Sequence, residues 1–354
     1  MSPRRPPTAH DVARRAGVSQ SAVSRAFTPG ASVAPDTRAR IEAAARDLGY
    51  RPNAIARSLI TRRSRVVAVV AAYLRNHFYP DVLESLSRQL QGLGYHVLLF
   101  TADIHQPADP VLDEIIQYRV DAVVLASTTL SSKLAGECRA AGIPVLLFNR
   151  TTRAAEVASV TGENIRGGHL IAEFLVACGH ERIAFVAGIE NSSTSLERER
   201  GFLGGLGVHG RRPHAREVGH YRFDGAADAA RRLFALPSRP DAIFCGNDHM
   251  ALAITEVARH EFGLNVPGDV ALVGFDDVGP ATWPSFSLTS FSQPVEPMVE
   301  RMVEILMEMI ETPDAPLRRE TVAGELVVRG STRVPPGCVT RDDGRLVWPG
   351  PLQA

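Results

Sequence analysis

"DVARRAGVSQSAVSRAF" occupies residues 11–27 and decides how the rest of the chain is read. Val12, Ala13 and Ala16 recur at helical spacing, and Gly17 then offers the left-handed backbone of a tight turn. Thr8 with Asp11 three residues later has the form of a capping box opening that helix. Ser19 is placed to cap a second helix, whose apolar side is Ala22, Val23, Ala26 and Phe27. Gln20, Ser21, Ser24 and Arg25 are left facing outward, and "TPG" at 28–30 ends the element. Two short helices joined by a glycine turn predict a helix-turn-helix, the second helix of which enters a DNA major groove. The outward side chains suit that task. Gln pairs with adenine, Arg with guanine, and Ser with base edges or phosphate. A third helix is predicted to start after Pro35, with Asp36 in its first turn, and to run to Leu48, turning Ile41, Ala44, Ala45 and Leu48 inward and stopping at Gly49.

The charge distribution agrees. The 354 residues carry no net charge, with 45% hydrophobic and 22% charged residues. Residues 1–65, however, hold 13 arginines against 4 acidic residues, a net of +9, which leaves −9 on the remainder. A basic head on an acidic body points to an anionic partner at the head. The segment "RPNAIARSLI" (51–60) is too short to hold a helix alone in water. Its apolar Ala56 and Leu59 lie among arginines, which suits a wedge into a minor groove as well as it suits a plain linker. No run of about 18 apolar residues occurs, so no membrane span is expected. "MSPRRPPTAH" has no apolar stretch of the kind a secretory leader needs. The four cysteines, Cys138, Cys178, Cys245 and Cys338, form no C-x-x-C pair. Reduced, mostly buried thiols in a cytoplasmic protein are expected.

After Arg65 apolar runs alternate with helical segments. The runs are "VVAVVAAY" (66–73), "YHVLLFTA" (95–102), "DAVVLAS" (121–127) and "IPVLLFN" (143–149), then "RIAFVAGI" (182–189), "AIFCGN" (242–247) and "VALVGFDD" (270–277). Such alternation means parallel sheets covered on both faces, and two series mean two doubly wound lobes. Ligands sit at the carboxyl ends of such strands, here Tyr73, Asn149, Asn247, Asp276 and Asp277. "GLGVHG" (205–210) matches G-x-G-x-x-G, but it follows a charged helical stretch and reads as a helix C-terminus. "GFDD" is the nearest approach to a metal or acid–base pair. Adjacent strand residues point to opposite faces, so one inward contact is expected rather than a shared role. No P-loop, H-E-x-x-H or G-x-S-x-G pattern appears. No catalytic residue, metal or cofactor is expected, and an α/β hydrolase or a periplasmic sugar-binding protein would account only for the body.

The order "HDVARRAGVSQSAVSRAF", "TRARIEAAARDLGYRPNAIARSL", "VLLFNR", "GHERIAFVAG", "RERGF", "AIFCGNDHMALA" and "VALVGFDD" resembles the lactose-repressor (LacI/GalR) family of bacterial transcription regulators over residues 8–333. The resemblance implies an α/β protein with an N-terminal all-α head, a hinge helix and a two-lobed periplasmic-binding-protein-like core. Its expected divisions are 1–51 for the head and 52–64 for the hinge and linker. The first lobe takes 65–162 with 294–323, the second 163–293 with 324–334, and 335–354 is expected to be a poorly ordered tail. By resemblance, Gln20, Ser21 and Arg25 face bases, and Thr8, Ser19, Ser24 and Asn53 meet phosphates. Leu59, beside Ala56, is the hinge wedge that folds on DNA. Tyr79, Asn149, Arg198, Phe223, Asn247 and Asp276 stand where relatives hold their effector, Arg198 three residues before Gly201 in an R-x-x-G pattern. Two departures occur. The first-lobe motif reads "NHFY" (76–79), so that contact falls on Phe78 or Tyr79, and Asn149 stands where many sugar-binding relatives have Asp. The implied partners are double-stranded operator DNA, a small effector (sugar, sugar phosphate or nucleoside) and a second copy of the chain, at the nucleoid. The tail carries no heptads, so a dimer is expected rather than a coiled-coil tetramer.

Overall fold

In the first strand of the body, β1 (Val66–Ala72), successive side chains serve two different cores. Val67, Val69 and Ala71 join Phe78, Leu86 and Met302, while Ala68 and Val70 join Ile115 and Cys138. This period of two in a wholly apolar strand is what a sheet buried on both faces requires. The computed structural model describes residue 5 and residues 7–28, 30–51, 63–102, 109–126, 132–152 and 156–351. It divides into two compact units, Met1–Ser64 and Arg65–Ala354.

The head contains α1 (Ala9–Ala16), α2 (Gln20–Ala26) and α3 (Pro35–Leu48). Thr8 and Asp11 form the expected capping box, Gly17 closes α1 at φ 64°, and the Ser19 hydroxyl accepts from the Ala22 N–H. Val12, Ala16, Val23, Ala26, Ile41, Ala44 and Ala45 make the core. Leu48 differs from expectation: it is exposed in the last turn of α3, and Tyr50 packs against Phe27 with ring centroids 6.0 Å apart. The hinge positions Asn53, Ala56 and Leu59 lie outside the described residues.

The body holds two sheets. In chain order the elements of the first are β1, α4 (Phe78–Gly92), β2 (His96–Ala102), α5 (Asp109–Gln117), β3 (Ala122–Ala126), α6 (Ser132–Ala140), β4 (Val145–Phe148) and β5 (Ala158–Gly162). Next come α7 (Asn164–Ala177), β6 (Ile183–Ala187), α8 (Ser193–Val208), β7 (Ala215–Val218), α9 (Phe223–Phe234), β8 (Ala242–Cys245), α10 (Asp248–His260), β9 (Ala271–Asp276) and β10 (Thr289–Ser292). Helix α11 (Val295–Glu311) and strand β11 (Arg319–Val322) return to the first sheet, and β12 (Leu326–Val327), β13 (Val339–Thr340) and β14 (Leu346–Trp348) belong to the second. The first sheet runs β11-β5-β4-β3-β1-β2, the second β13-β14-β12-β10-β9-β8-β6-β7. All pairings in the first are parallel, and those from β10 to β7 are parallel in the second. The chain thus passes between sheets after β5, after β10 and after β11.

The sequence "GLGVHG" is the end of α8 and its exit, with Gly210 at φ 65°, as its charged context implied. The short strands β5, β7, β10 and β11 had no apolar run to announce them. The tail is the clearest correction. Residues 339–348 form an antiparallel hairpin that extends the second sheet, with β14 paired to β12. Trp348 is 2% exposed; its ring meets Phe174 edge-on at 5.6 Å and its N–H donates to the Pro336 carbonyl. Asp343-Gly344 between short apolar stretches is the hairpin signal in this tail. Three cysteines are buried and Cys338 is partly so; burial pushes the Cys178 thiol up to about 12. Trp348→Ala should lower the unfolding free energy of the body by about 3–5 kcal/mol, read as a shifted urea midpoint. An unchanged midpoint would mean the hairpin adds nothing to the second lobe.

Candidate functional site

On the head, α2 turns Gln20, Ser21, Ser24 and Arg25 outward, and all four are exposed. They share one face because three or four residues bring a helix round by a turn. Two predicted contacts already have structural work. The Thr8 hydroxyl donates to Asp11 Oδ2 at 2.7 Å, and the Ser19 oxygen caps α2 at 3.2 Å. Asp11 is held down to about 2, first by its Thr8 hydrogen bonds. The head's arginines divide by role. Arg14 pairs with Asp11 and Arg15 with Asp47, while Arg38 and Arg40 donate to the carbonyls of Ala26 and Ala16.

In the body, four of the five expected strand-end residues, Tyr73, Asn149, Asn247 and Asp276, converge on one cavity, whereas Asp277 does not line it. Tyr73, Asn149, Asp276 and Asp277 all have positive φ, at 56°, 55°, 117° and 58°. Such conformations strain residues with a Cβ by about 1–3 kcal/mol each and concentrate at sites of function. One cavity is lined by Tyr73, Asn76, Tyr79, Asn149 and Arg150 from the first lobe and by Thr194, Arg198, Tyr221, Asn247 and Asp276 from the second. Five of the seven cleft residues read from sequence are therefore brought together. Phe78 is not among them: it is buried in the first-lobe core, stacked on Phe148 at 6.2 Å. Neighbours on a helix point about 100° apart, so at the start of α4 Phe78 enters the core while Tyr79 faces the cavity. Phe223 also lies elsewhere, exposed at the start of α9, its ring 5.9 Å from that of His249. Left-handed backbone at His220 and Tyr221 reverses the chain there, so Tyr221 supplies the aromatic face. Arg150, Thr194, Tyr221 and Asn76 escaped the sequence reading. Arg150 was detectable as the neighbour of a strand-end residue; Thr194 had no signal beyond a serine-rich helix start.

Asp276 and Arg198 form the centre. Arg198 Nη2 donates to Asp276 Oδ1 at 3.2 Å, and both are almost wholly buried. Arg198 also donates to Asn164 Oδ1 at 2.9 Å and to the Gly246 carbonyl at 2.5 Å, and lies 3.7 Å over the Phe275 ring. Gln293 donates to Asp276 at 2.7 Å. Burial raises the Asp276 carboxyl, while the Arg198 charge opposes that shift. Asp277 points away and pairs with Arg329 at 2.7 Å, so the two carboxylates of "GFDD" have separate roles. Asn247 caps α10 through Met250 N–H at 3.0 Å.

The lobes are closed on each other. Tyr73 bonds His249 across the cleft at 3.1 Å, the Thr151 N–H donates to Ser193 at 2.9 Å, and Arg150 reaches the Thr194 hydroxyl. The remaining cavity is about 20 Å³, room for one water molecule. Burial, then the charges of His77 and Arg75, lower His249 to about 4, so it is neutral at ordinary pH. Among the described residues no group of three His, Cys, Asp or Glu could hold a metal, and no helix is long and apolar enough to cross a membrane.

A helix-turn-helix head on a two-lobed body with a polar interlobe cavity defines a DNA-binding protein with a ligand-binding core. Comparison with known proteins agrees. Residues 8–53 match the bacterial regulatory proteins of the lacI family, and 172–332 match a periplasmic binding protein-like domain. The chain is 30% identical to the ribose operon repressor of Escherichia coli K12 over 92% of its length and 99% of that protein. It is 32% identical to the transcriptional regulator CelR of Thermobifida fusca over 94% of its length and 100% of that protein. The Lac repressor dimer bound to operator and an anti-inducer superposes with a TM-score of 0.83 at 26% identity, covering 93% of this chain and 100% of that one. The chain belongs to the lacI family of bacterial regulatory proteins. It is a DNA-binding transcriptional regulator with a ligand-binding core, and not an enzyme.

The depth of Arg198 depends on glycine. A Cβ at Gly201 would lie 2.0 Å from the Ile165 carbonyl oxygen, and one at Gly168 would lie 2.2 Å from that of Arg198. Gly201→Ala should push α8 from α7, withdraw Arg198 from Asp276 and destabilise the body by about 1–3 kcal/mol or more. Thermal unfolding checks this; a wild-type melting temperature would show that the helices yield freely.

Proposed function

We propose that the chain is a repressor that binds an inverted-repeat operator as a homodimer and is controlled by a sugar-class effector in the cleft. The observation that carries this is the convergence of Tyr79, Asn149, Arg198, Asn247 and Asp276 from two lobes on one cavity, in a chain headed by a helix-turn-helix. Carboxylate, amide and guanidinium groups match the donors and acceptors of hydroxyls, and Tyr221 offers an apolar ring face. A solved relative, CelR, is a complex with cellobiose, 30% identical over 92% of this chain with a TM-score of 0.68.

On DNA, Gln20, Ser21 and Arg25 read bases, and Ser24 with Thr8 and Ser19 approaches phosphates. Asn53 meets the backbone, and Ala56 and Leu59 enter the minor groove from the hinge. Two heads in a dimer call for two half-sites at helical spacing. The effector alters operator affinity only by preferring one lobe arrangement over the other. The working place of such a protein is the cytoplasm, at the DNA.

Arg25→Ala should lose discrimination at one base pair per half-site by about 1–3 kcal/mol. Fluorescence anisotropy on operator variants measures this; equal weakening on every sequence would reduce Arg25 to a phosphate contact. Asp276→Asn keeps the volume while removing the charge. It should abolish the effector response in the same assay and leave operator binding in place, and an undiminished response would remove Asp276 from the site.

A further inference from the structure

We propose that His249 is a pH-sensitive latch of lobe closure, and that a proton taken up by its imidazole releases the second lobe from the first. His249 belongs to α10 of the second lobe, and Tyr73, which it meets, stands one residue past the end of β1 in the first. The Tyr73 hydroxyl lies 3.1 Å from His249 Nε2, and the two rings meet edge-on at 5.4 Å. The ring of His77, also from the first lobe, stands 6.2 Å from the same imidazole, and that of Phe223 stands 5.9 Å from it. With its proton on Nδ1, a neutral imidazole accepts the Tyr73 proton at Nε2, whereas an imidazolium has no lone pair left to accept with.

The surroundings disfavour a charge there. His249 is 7% exposed. Among the described residues, the charged and titratable groups that face it are Tyr73, Arg75 and His77 from the first lobe and Asp224 from α9. Its neighbour on α10, Asp248, is engaged elsewhere, accepting from the Val278 N–H at 2.9 Å and from the Ser290 hydroxyl at 2.6 Å. Asp224 is held by Arg222 through two hydrogen bonds of 2.9 and 2.7 Å. An imidazolium in the closed cleft is therefore buried beside cationic neighbours, and the nearby carboxylate is already taken. Opening returns it to water and separates it from Arg75 and His77, which stay with the first lobe.

Burial, then the charges of His77 and Arg75, lowers the imidazole from 6.5 to about 4 in the closed arrangement, with Asp224 opposing. An opened, hydrated His249 titrates near its ordinary value. Closure is thus fully supported above pH 6.5 and weakens as the pH falls from there to about 4, by up to about tenfold for each unit. Acid then drives the same open–closed equilibrium on which an effector acts, without occupying the cavity. The latch is independent of which effector the protein takes.

Hydrogen exchange of the full-length, ligand-free protein tests this. The Thr151 N–H reaches Ser193 Oγ across the cleft at 2.9 Å, so it exchanges when the lobes part. After correction for the intrinsic exchange rate, protection at Thr151 should fall about tenfold between about pH 7.5 and about pH 5.5, while the amides of β1 keep theirs. His249→Gln should make protection at Thr151 independent of pH. Arg75→Gln, at an exposed position, should reduce the fall without abolishing it, and it keeps the test open if His249→Gln does not fold. Four results would overturn the latch: constant protection at Thr151 in the parent protein, a fall that survives His249→Gln, a fall in Arg75→Gln as large as the parent's, or a parallel loss at β1, which means unfolding rather than opening.

Discussion

Taking one guanidinium and one carboxylate out of water costs several kcal/mol per ion unless the surroundings replace the lost hydration. Arg198 and Asp276 are both buried, and nearly everything around them serves that replacement. Asn164 and the Gly246 carbonyl accept from Arg198, Phe275 covers its face, and Gln293 completes Asp276. These groups come from α7, the end of β8, β9 and the crossover after β10. The pair thus ties together four parts of the second lobe at the mouth of its sheet. It can exist only because Gly168 and Gly201 let α7 and α8 approach to backbone contact, which carries Arg198 in to its partner.

Closure of the two lobes has a different character. Val278 of the second lobe joins the first-lobe core; otherwise the apolar cores are separate, and the lobes meet in the cleft through polar contacts such as Tyr73–His249, Thr151–Ser193 and Arg150–Thr194. Each such bond is worth about 0.5–1.5 kcal/mol net. Contacts of that size hold a closed arrangement without locking it, so a ligand that replaces them can shift the balance. The strained backbone at Tyr73 and Asn149 is stored where those contacts are made.

The head shows why charge counting overstates the free cations of a small domain. Arg14 and Arg15 face carboxylates, and Arg38 and Arg40 clamp α3 to the ends of α2 and α1. These side chains fix the helices relative to one another. The face of α2 that begins at Gln20 and ends at Arg25 stays exposed.

Local physical rules made much of this legible. A glycine turn, two caps and helical spacing predicted α1 and α2, and apolar runs ending in polar residues predicted the main parallel strands with Tyr73, Asn149, Asn247 and Asp276 at their ends. Those features depend on neighbours in the chain, so the sequence by itself determined them. Short strands such as "RETV" and the 339–348 hairpin form because a sheet edge is already there to pair with. The choice of Tyr79 over Phe78, and of Tyr221 over Phe223, is a matter of which way a helix start or a left-handed turn aims a ring. The place of Arg150 depends on Thr194 and Tyr221 coming across from the other lobe. Only the tertiary structure decided these, because each is settled by a contact between residues far apart in sequence.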